Sequence, residues 1–416
     1  MKWNRHILIL IFPLPCLFGQ KFEKLAYNKY LVTSIQTLES TIHGGLIIKN
    51  FRGDITVSGD VAQEVRIIRR SYLNVNSTEN AERLLKKVGV TITAESTDDN
   101  AKSIIVESLN NKTRHLSDNL EITVPNIFSV AIQNRGGDLN IDQVQGEIDI
   151  ATSGGDIDLK SLSGKITAHT SGGNVEGIDI SGRVSVSTSG GSIEFEGLKG
   201  ELKGETHGGD VKGEKIQGSV TLKTSGGEID LYDVVGREIY GQTNAGDVIA
   251  REIIATSTID FHTNVGNIDL EDITGDLEAS TSGGDIEIKH VRGSVKVWTS
   301  GGEIDAELVR GAFDGRTSAG NITLSKIWDR QYEDHEIDVK TSAGDIDLTL
   351  PKDFPADLDL RVLSLDRDPG GAILSDFPVT ISSSRNMSKG KGRSGDGRFD
   401  VHMEASVGTI KVRQEK

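Results

Sequence analysis

The segment TSGGDIDL, residues 152–159, returns along the chain at a nearly constant interval, and this periodicity limits the possible folds more than any other feature. Aligned on the threonine, TSGGDIDLKSLSGKITAH (152–169) is followed by TSGGNVEGIDISGRVSVS (170–187), TSGGSIEFEGLKGELKGE (188–205) and THGGDVKGEKIQGSVTLK (206–223). The same unit continues to TSAGDIDLTL (341–350) and begins upstream at NRGGDLNI from Asn134. Self-similarity at a period of 18 residues predicts a solenoid, in which each repeat packs only on its neighbours. Within one unit the apolar residues Ile157 and Leu159, Leu162, and Ile166 and Ala168 form two short alternating stretches, each reading as a half-buried strand. Gly154 and Gly155 mark one corner and Gly164 another, where glycine permits backbone conformations and close approaches that a side chain obstructs. One such coil cannot bury enough apolar surface to offset the ordering of its own backbone, so stability must reside in the stacking.

The predicted fold class is therefore all-β, a parallel β-solenoid (β-helix) of 18-residue coils over 134–350. Residues 20–133 read as an N-terminal β-rich cap with one short helix near 78–88, where Asn76 and Glu79 have capping-box spacing. Residues 351–416 read as a C-terminal β cap around the loop NMSKGKGRSGDG. Caps of this kind shield the open edges of a terminal coil.

Residues 1–19 have the parts of an export signal: Lys2 and Arg5, an apolar run from Ile7, then the small Gly19. The run is too short for a membrane span, which needs about 20 apolar residues. The mature chain is thus expected without a transmembrane segment, exported to the periplasm, the outer envelope or the extracellular space. Its only cysteine, Cys16, lies in this segment after Pro15, where a lipidated cysteine would follow a small residue. Without it there is no disulfide, thiol nucleophile or cysteine metal site. The formal charge of −16 excludes nucleic acid as a natural partner, because duplex binding depends on Lys and Arg neutralising phosphates.

The repeated TSGGDIDL, the entry LEITVP before the first coil, and the tail LP…ADLDLRV…DFPVTI…ASVGTIKV together resemble the bacterial putative-adhesin family of β-strand-repeat domains, over about residues 40–414. The resemblance implies an exported envelope or surface β-solenoid of generally unassigned function, and brings no catalytic residues with it. This chain departs from the pattern at 243–262 and 317–340, which read as bulges.

Stacking places acidic residues in columns. Asp156, Asp285 and Asp345 share one repeat position and Asp158 lies in a second column two residues on, making these four the candidate calcium ligands. Calcium-binding solenoids carry G-G-x-G-x-D, however, and GGDIDL lacks the further glycine, so neither metal nor cofactor is expected. Carboxylates at i and i+2 on one strand face are also too alike for the contrasting acid and base of a glycosidase, and the chain reads as no enzyme. His169 and His262 share a repeat position several coils apart, without metal-ligand spacing. Arg66, Arg69 and Arg70 read as a solvated strand face that could also meet an acidic partner.

The segment KIWDRQYEDHEIDVK, in a coil about six residues too long, gathers Trp328, Arg330, Tyr332, Asp334 and His335. Trp328, Arg330, Tyr332 and His335 are the candidate ligand-binding residues. The reading is an adhesin-like, non-catalytic binding module for an envelope or surface glycan, peptide or protein. The alternative is a structural spacer or self-associating scaffold, and a polysaccharide-active enzyme ranks third.

Overall fold

In the computed structural model, residues 20–40, 43–96, 102–109, 115–363 and 372–415 are described, and the export segment expected over 1–19, with Cys16, lies outside them. Among the described residues there are 33 strands and one helix. The chain divides into two compact units, Met1–Thr206 and His207–Lys416.

In the first unit two parallel ladders advance together. One runs Leu139, Ile157, Val175, Ile193 and the other Ile148, Ile166, Val184, Leu202, each step pairing a residue with the one 18 places on. Burial follows the sequence alternation: Ile157, Leu159, Leu162, Ile166 and Ala168 are at most 1% exposed, while Asp156, Asp158 and Lys160 face solvent. A one-residue slip would invert every one of these side chains, so the apolar period sets the register.

Three kinds of corner join the strands. At the first, the two glycines differ in role: a Cβ on Gly155 would lie 2.1 Å from the carbonyl oxygen of Gly137, whereas one on Gly154 would meet nothing within 4 Å. Close approach of stacked backbones, rather than an unusual backbone conformation, therefore requires glycine at Gly155. Only the second glycine of the pair is constrained, which explains why the first gives way to Ala245, Val265, Ala319 and Ala343 in other coils. At the second corner Gly164 needs both freedoms, with φ +124° and a Cβ position 2.2 Å from the Gly146 oxygen. The third corner was not legible as one: Gln143, Ser161 and Asp179 adopt φ of 57°, 51° and 56°, left-handed without being glycine. Such residues cost roughly 1–2 kcal/mol each and persist where the surrounding ladder over-determines them.

A buried threonine closes each coil on the one before. Thr170 Oγ1 donates to the Gly155 carbonyl at 2.8 Å and accepts from the Gly173 N–H at 3.3 Å; Thr188 repeats both bonds to Gly173 and Gly191. Both hydroxyls are thereby satisfied in residues no more than 2% exposed.

The N-terminal region also contributes to the ladders. Strands Gly45–Phe51 and Ile55–Asp60 pair in parallel with Ser129–Asn134 and Leu139–Asp142. The chain then leaves through Glu64–Leu73 and the helix, and returns as Lys102–Ser108 and Leu116–Pro125 on the other side of Gly45–Phe51 and Ile55–Asp60. The helix spans Thr78–Val88, and its N-cap is Ser77, whose Oγ accepts from the Asn80 N–H, not Asn76 as the capping-box spacing suggested. Arg69 is committed to a two-pronged pair with Asp118, at 3.1 and 2.6 Å, and Arg70 to Glu121 at 2.5 Å, so these two cations already have acidic partners.

In the second unit the step lengthens to 19 and then 20 residues between Ile229, Val248 and Ile268, with bulges after Gly236 and Ile254. It returns to 18 and becomes 24 at the insertion, where Ile322 pairs with Ile346. The tail read as a cap rejoins the ladders: Phe399–Ala405 pairs with Ile337–Ala343, and Ile410–Gln414 with Ile346–Leu350. Gly408 even repeats the close approach, its Cβ position 1.9 Å from the Gly344 oxygen.

The two glycines of one pair should respond differently to substitution. Gly155→Ala is expected to destabilise by more than about 1 kcal/mol and Gly154→Ala by less than about 0.5 kcal/mol, compared by thermal melting. Equal melting of the two variants would contradict the close-approach argument.

Candidate ligand-binding groove

The acidic column is an acceptor ladder. Asp156 Oδ1 accepts from the Asn174 N–H at 2.7 Å and Asn174 Oδ1 from the Ser192 N–H at 2.8 Å. In the second unit Asp285 accepts from the Glu303 N–H and Asp345 from the Thr409 N–H, both at 2.8 Å. Three of the four calcium candidates therefore spend a carboxylate oxygen on the backbone of the next coil. The fourth, Asp158, has its pKa raised, first by burial and then by Asp156 and Asp138. Among the described residues one group of three metal-capable side chains converges, Glu271, Asp272 and His290, and it includes none of the four.

The insertion is anchored from within. Lys326 occupies a column that is otherwise apolar, pairing with Val309, and is 3% exposed. Its Nζ donates to the Gly311 carbonyl, and burial lowers its pKa to about 7. His335 is fully buried, with Nε2 donating to the Asp329 carbonyl at 2.9 Å. Its ring packs edge-on against Phe399 and Phe354, with centroids 5.0 and 6.0 Å away, and burial lowers its pKa. His335 is thus a core residue that pins the loop and has no surface to offer a ligand. Trp328 and Tyr332 are half-buried and Arg330 exposed, its guanidinium 5.0 Å from the Trp328 ring centre.

Pinning His335 turns its neighbours Asp334 and Glu336 toward a groove of about 690 Å³ on the outer face of the second unit. The groove crosses strands in which Ile259, Leu277, Val295, Phe313 and Ile337 point into the core. The preceding residues, Thr258, Asp276, Ser294, Ala312 and Glu336, form one wall. The following ones, Asp260, Glu278, Lys296, Asp314 and Asp338, with His402, form the other. Eight carboxylates line it against one lysine and one histidine, and Trp328, Arg330 and Tyr332 are not among its lining residues. Cations border several of the acids: Arg316 chelates Asp314 at 2.9 and 3.0 Å and reaches Asp338 at 3.3 Å, and Lys340 lies 2.9 Å from Asp338.

A short line of aromatic rings lies beside the second wall, outside the residues that line the groove. Tyr240, His262 and Trp298 follow one another at centroid distances of 6.1 and 6.0 Å. The imidazole Nδ1 bonds the Ser280 hydroxyl at 2.5 Å and its Nε2 lies 2.5 Å from the Asp260 carboxylate, whose proximity raises its pKa. Sequence reasoning compared His262 with His169 and missed its aromatic neighbours, since residues 22 and 36 positions apart in the chain meet only through the stacking. The available signal was the register itself: Tyr240 pairs with Asp260, and Ser280 with Trp298.

Residues 179–349 match the Toastrack DUF4097 family. No curated protein matches the chain. Similar solved structures include a putative cell adhesion protein from Clostridium sporogenes, 10% identical, covering 92% of this chain and 99% of that one with a TM-score of 0.18. A putative adhesin from Bacteroides fragilis is 15% identical over 66% of this chain and 97% of its own, with a TM-score of 0.24. A putative adhesin from Parabacteroides merdae is 13% identical over 76% and 95%, with a TM-score of 0.22.

The buried lysine makes a prediction with a definite sign. The folded-state pKa of Lys326 is about 7 against an ordinary 10.5, so between these values the unfolded chain holds a proton that the folded chain has released. Its cost is therefore full below pH 7 and relieved as pH rises toward 10.5. Lys326→Met should raise the unfolding free energy most at pH 6, by a few kcal/mol as read from denaturant or thermal unfolding, and the gain should shrink by pH 10. A gain independent of pH would show that Lys326 is not the titrating group.

Proposed function

From a chain that carries a Toastrack DUF4097 domain over residues 179–349, we propose an adhesin-like, non-catalytic binding module, exported to the cell envelope or surface, built as a β-solenoid of 18-residue coils with a cap at each end. The observation that carries the proposal is the groove: a concave site of about 690 Å³ on a parallel sheet whose backbone is fixed by its ladders. Binding sites gain from such rigidity, because little order is lost when the ligand arrives. A hydrolytic reading asks for two carboxyls in contrasting surroundings, one of them apolar. Asp314, Asp338, Glu278 and Asp260 instead each have a cation or histidine beside them.

The scaffold reading is less well supported, because antiparallel strands lie over the ends of the parallel ladders. Glu64–Leu73 pairs antiparallel with Leu116–Pro125 in the first unit, and Ala356–Leu363 with Met387–Arg393 in the second. Covered edges oppose edge-to-edge assembly. Export is consistent with the leader-like segment 1–19, and no helix among the described residues is long and apolar enough to cross a membrane.

The purified protein should sediment saturably with isolated bacterial envelopes. Charge reversal at two exposed carboxylates that line the groove, Glu336→Lys with Asp400→Lys, should weaken that association at least about tenfold with unchanged melting. Undiminished association of the double variant would exclude the groove as the binding site. Sedimentation velocity at rising concentration should show one species, and concentration-dependent polymers would favour the scaffold.

A further inference from the structure

We infer that the groove and the line of rings beside it together take an extended saccharide chain bearing free amines, its sugar rings stacked along Tyr240, His262 and Trp298 and its amines and hydroxyls held by the wall carboxylates. The inference rests on the groove being the binding site, and adds the chemical class of the ligand. Four observations converge on it.

The first is the juxtaposition of flat rings and acceptors. Trp298 is 37% exposed on a strand face that is otherwise charged, and His262 ties it to Tyr240 in one line. An exposed ring beside hydrogen-bond acceptors suits a ligand that is apolar on one face and rich in donors around its rim, as a pyranose is. The second is fixity: with the imidazole set between the Ser280 hydroxyl and the Asp260 carboxylate, the centre of the line is already ordered before any ligand arrives.

The third is charge. Eight carboxylates facing Lys296 and His402 would repel sulfated or uronic-acid chains and attract amines. The rings already accept ammonium groups within the molecule, since Lys223 lies 5.4 Å from the Tyr240 centre and Lys296 5.6 Å from that of Trp298. The fourth is repeat length. Coils stack at about 4.8 Å, so a chain lying along the groove meets a new row of outward side chains once per coil, a step close to the length of one pyranose in an extended chain. An extended peptide repeats its side chains on one face every ~6.8 Å and falls out of step. Nor can it add as a strand here, because the strand backbones that floor the groove are already paired on both sides.

The test uses the full chain in a Trp328→Phe background, so that Trp298 dominates the fluorescence change. Four probes are compared by titration: the β-1,4-linked glucosamine hexamer, its N-acetylated counterpart, hexalysine and a heparin hexasaccharide. The glucosamine hexamer should bind saturably and shift the Trp298 emission, with the acetylated hexamer and hexalysine each at least about tenfold weaker and heparin silent. Trp298→Ala and Glu278→Gln should each reduce affinity for the glucosamine hexamer about tenfold. The second variant retains the ring, so a folding defect in the first does not decide the outcome.

Absence of saturable binding by the wild type overturns the inference. So does hexalysine binding as tightly as the sugar, which would make the groove a site for basic peptides, or retention of full affinity by both variants. These results are distinct from failure of the broader reading. If Glu336→Lys with Asp400→Lys abolishes envelope association while no glucosamine oligomer binds, the groove stands and the ligand class falls.

Discussion

The threonine at the start of each repeat is the bond on which the rest of the structure depends. Its hydroxyl reaches back to a glycine carbonyl of the preceding coil, and in coils such as those of Thr170 and Thr281 it also accepts the N–H of its own coil's second glycine. That geometry brings stacked turns so close that a Cβ on the second glycine would overlap backbone, at 2.1 Å in Gly173 and in Gly284. Threonine and glycine are therefore one device. Thr152, Thr170, Thr188, Thr224, Thr243 and Thr281 are each buried to 5% exposure or less without an orphaned hydroxyl. A buried hydroxyl with both functions satisfied is rigid, and the apolar residues that follow it inherit a fixed register.

Much of this was legible because a solenoid writes its contacts as a period. Inward and outward faces, strand positions and two of the corners follow from spacing alone. The third corner does not, because its left-handed backbone is occupied by Asp233, Asp272, His290 and Leu308 as readily as by anything else. Aspartate recurs at Asp179, Asp233 and Asp272, but Gln143, Ser161, Lys215, Glu252, His290 and Leu308 hold the same place, so no single residue type marks it. The role of the acidic column was hidden for a related reason. Asp156 and Asn174 differ in charge and agree only as acceptors, so a reading by charge finds repulsion where the structure has hydrogen bonds.

The candidate site was less legible than the fold. The long coil shows in the spacing, but in the sequence His335 reads with its surface neighbours, whereas its ring belongs to a cluster with Phe354 and Phe399, residues from the tail. The tail returns to the ladder 64 residues after the insertion's coil, and nothing local to the insertion indicates that distance. The groove itself is assembled from residues that are individually unremarkable. Ser294 and Ala312 matter because they are small between larger neighbours on adjacent coils, a property of the stack and not of any segment.

The acceptor ladder separates two quantities that most folds couple. Aspartate and asparagine supply the same oxygen to the next coil's N–H, as Asp247 does for Asn267 and Asn267 does for Asp285. An exchange of one for the other leaves the hydrogen bond in place while changing the formal charge by one. The protein's net −16 is in this respect adjustable at many positions without disturbing a coil. Colloidal behaviour, salt response and long-range attraction for a charged surface can thus drift independently of the architecture. Two such chains with superimposable backbones could migrate far apart in an electric field.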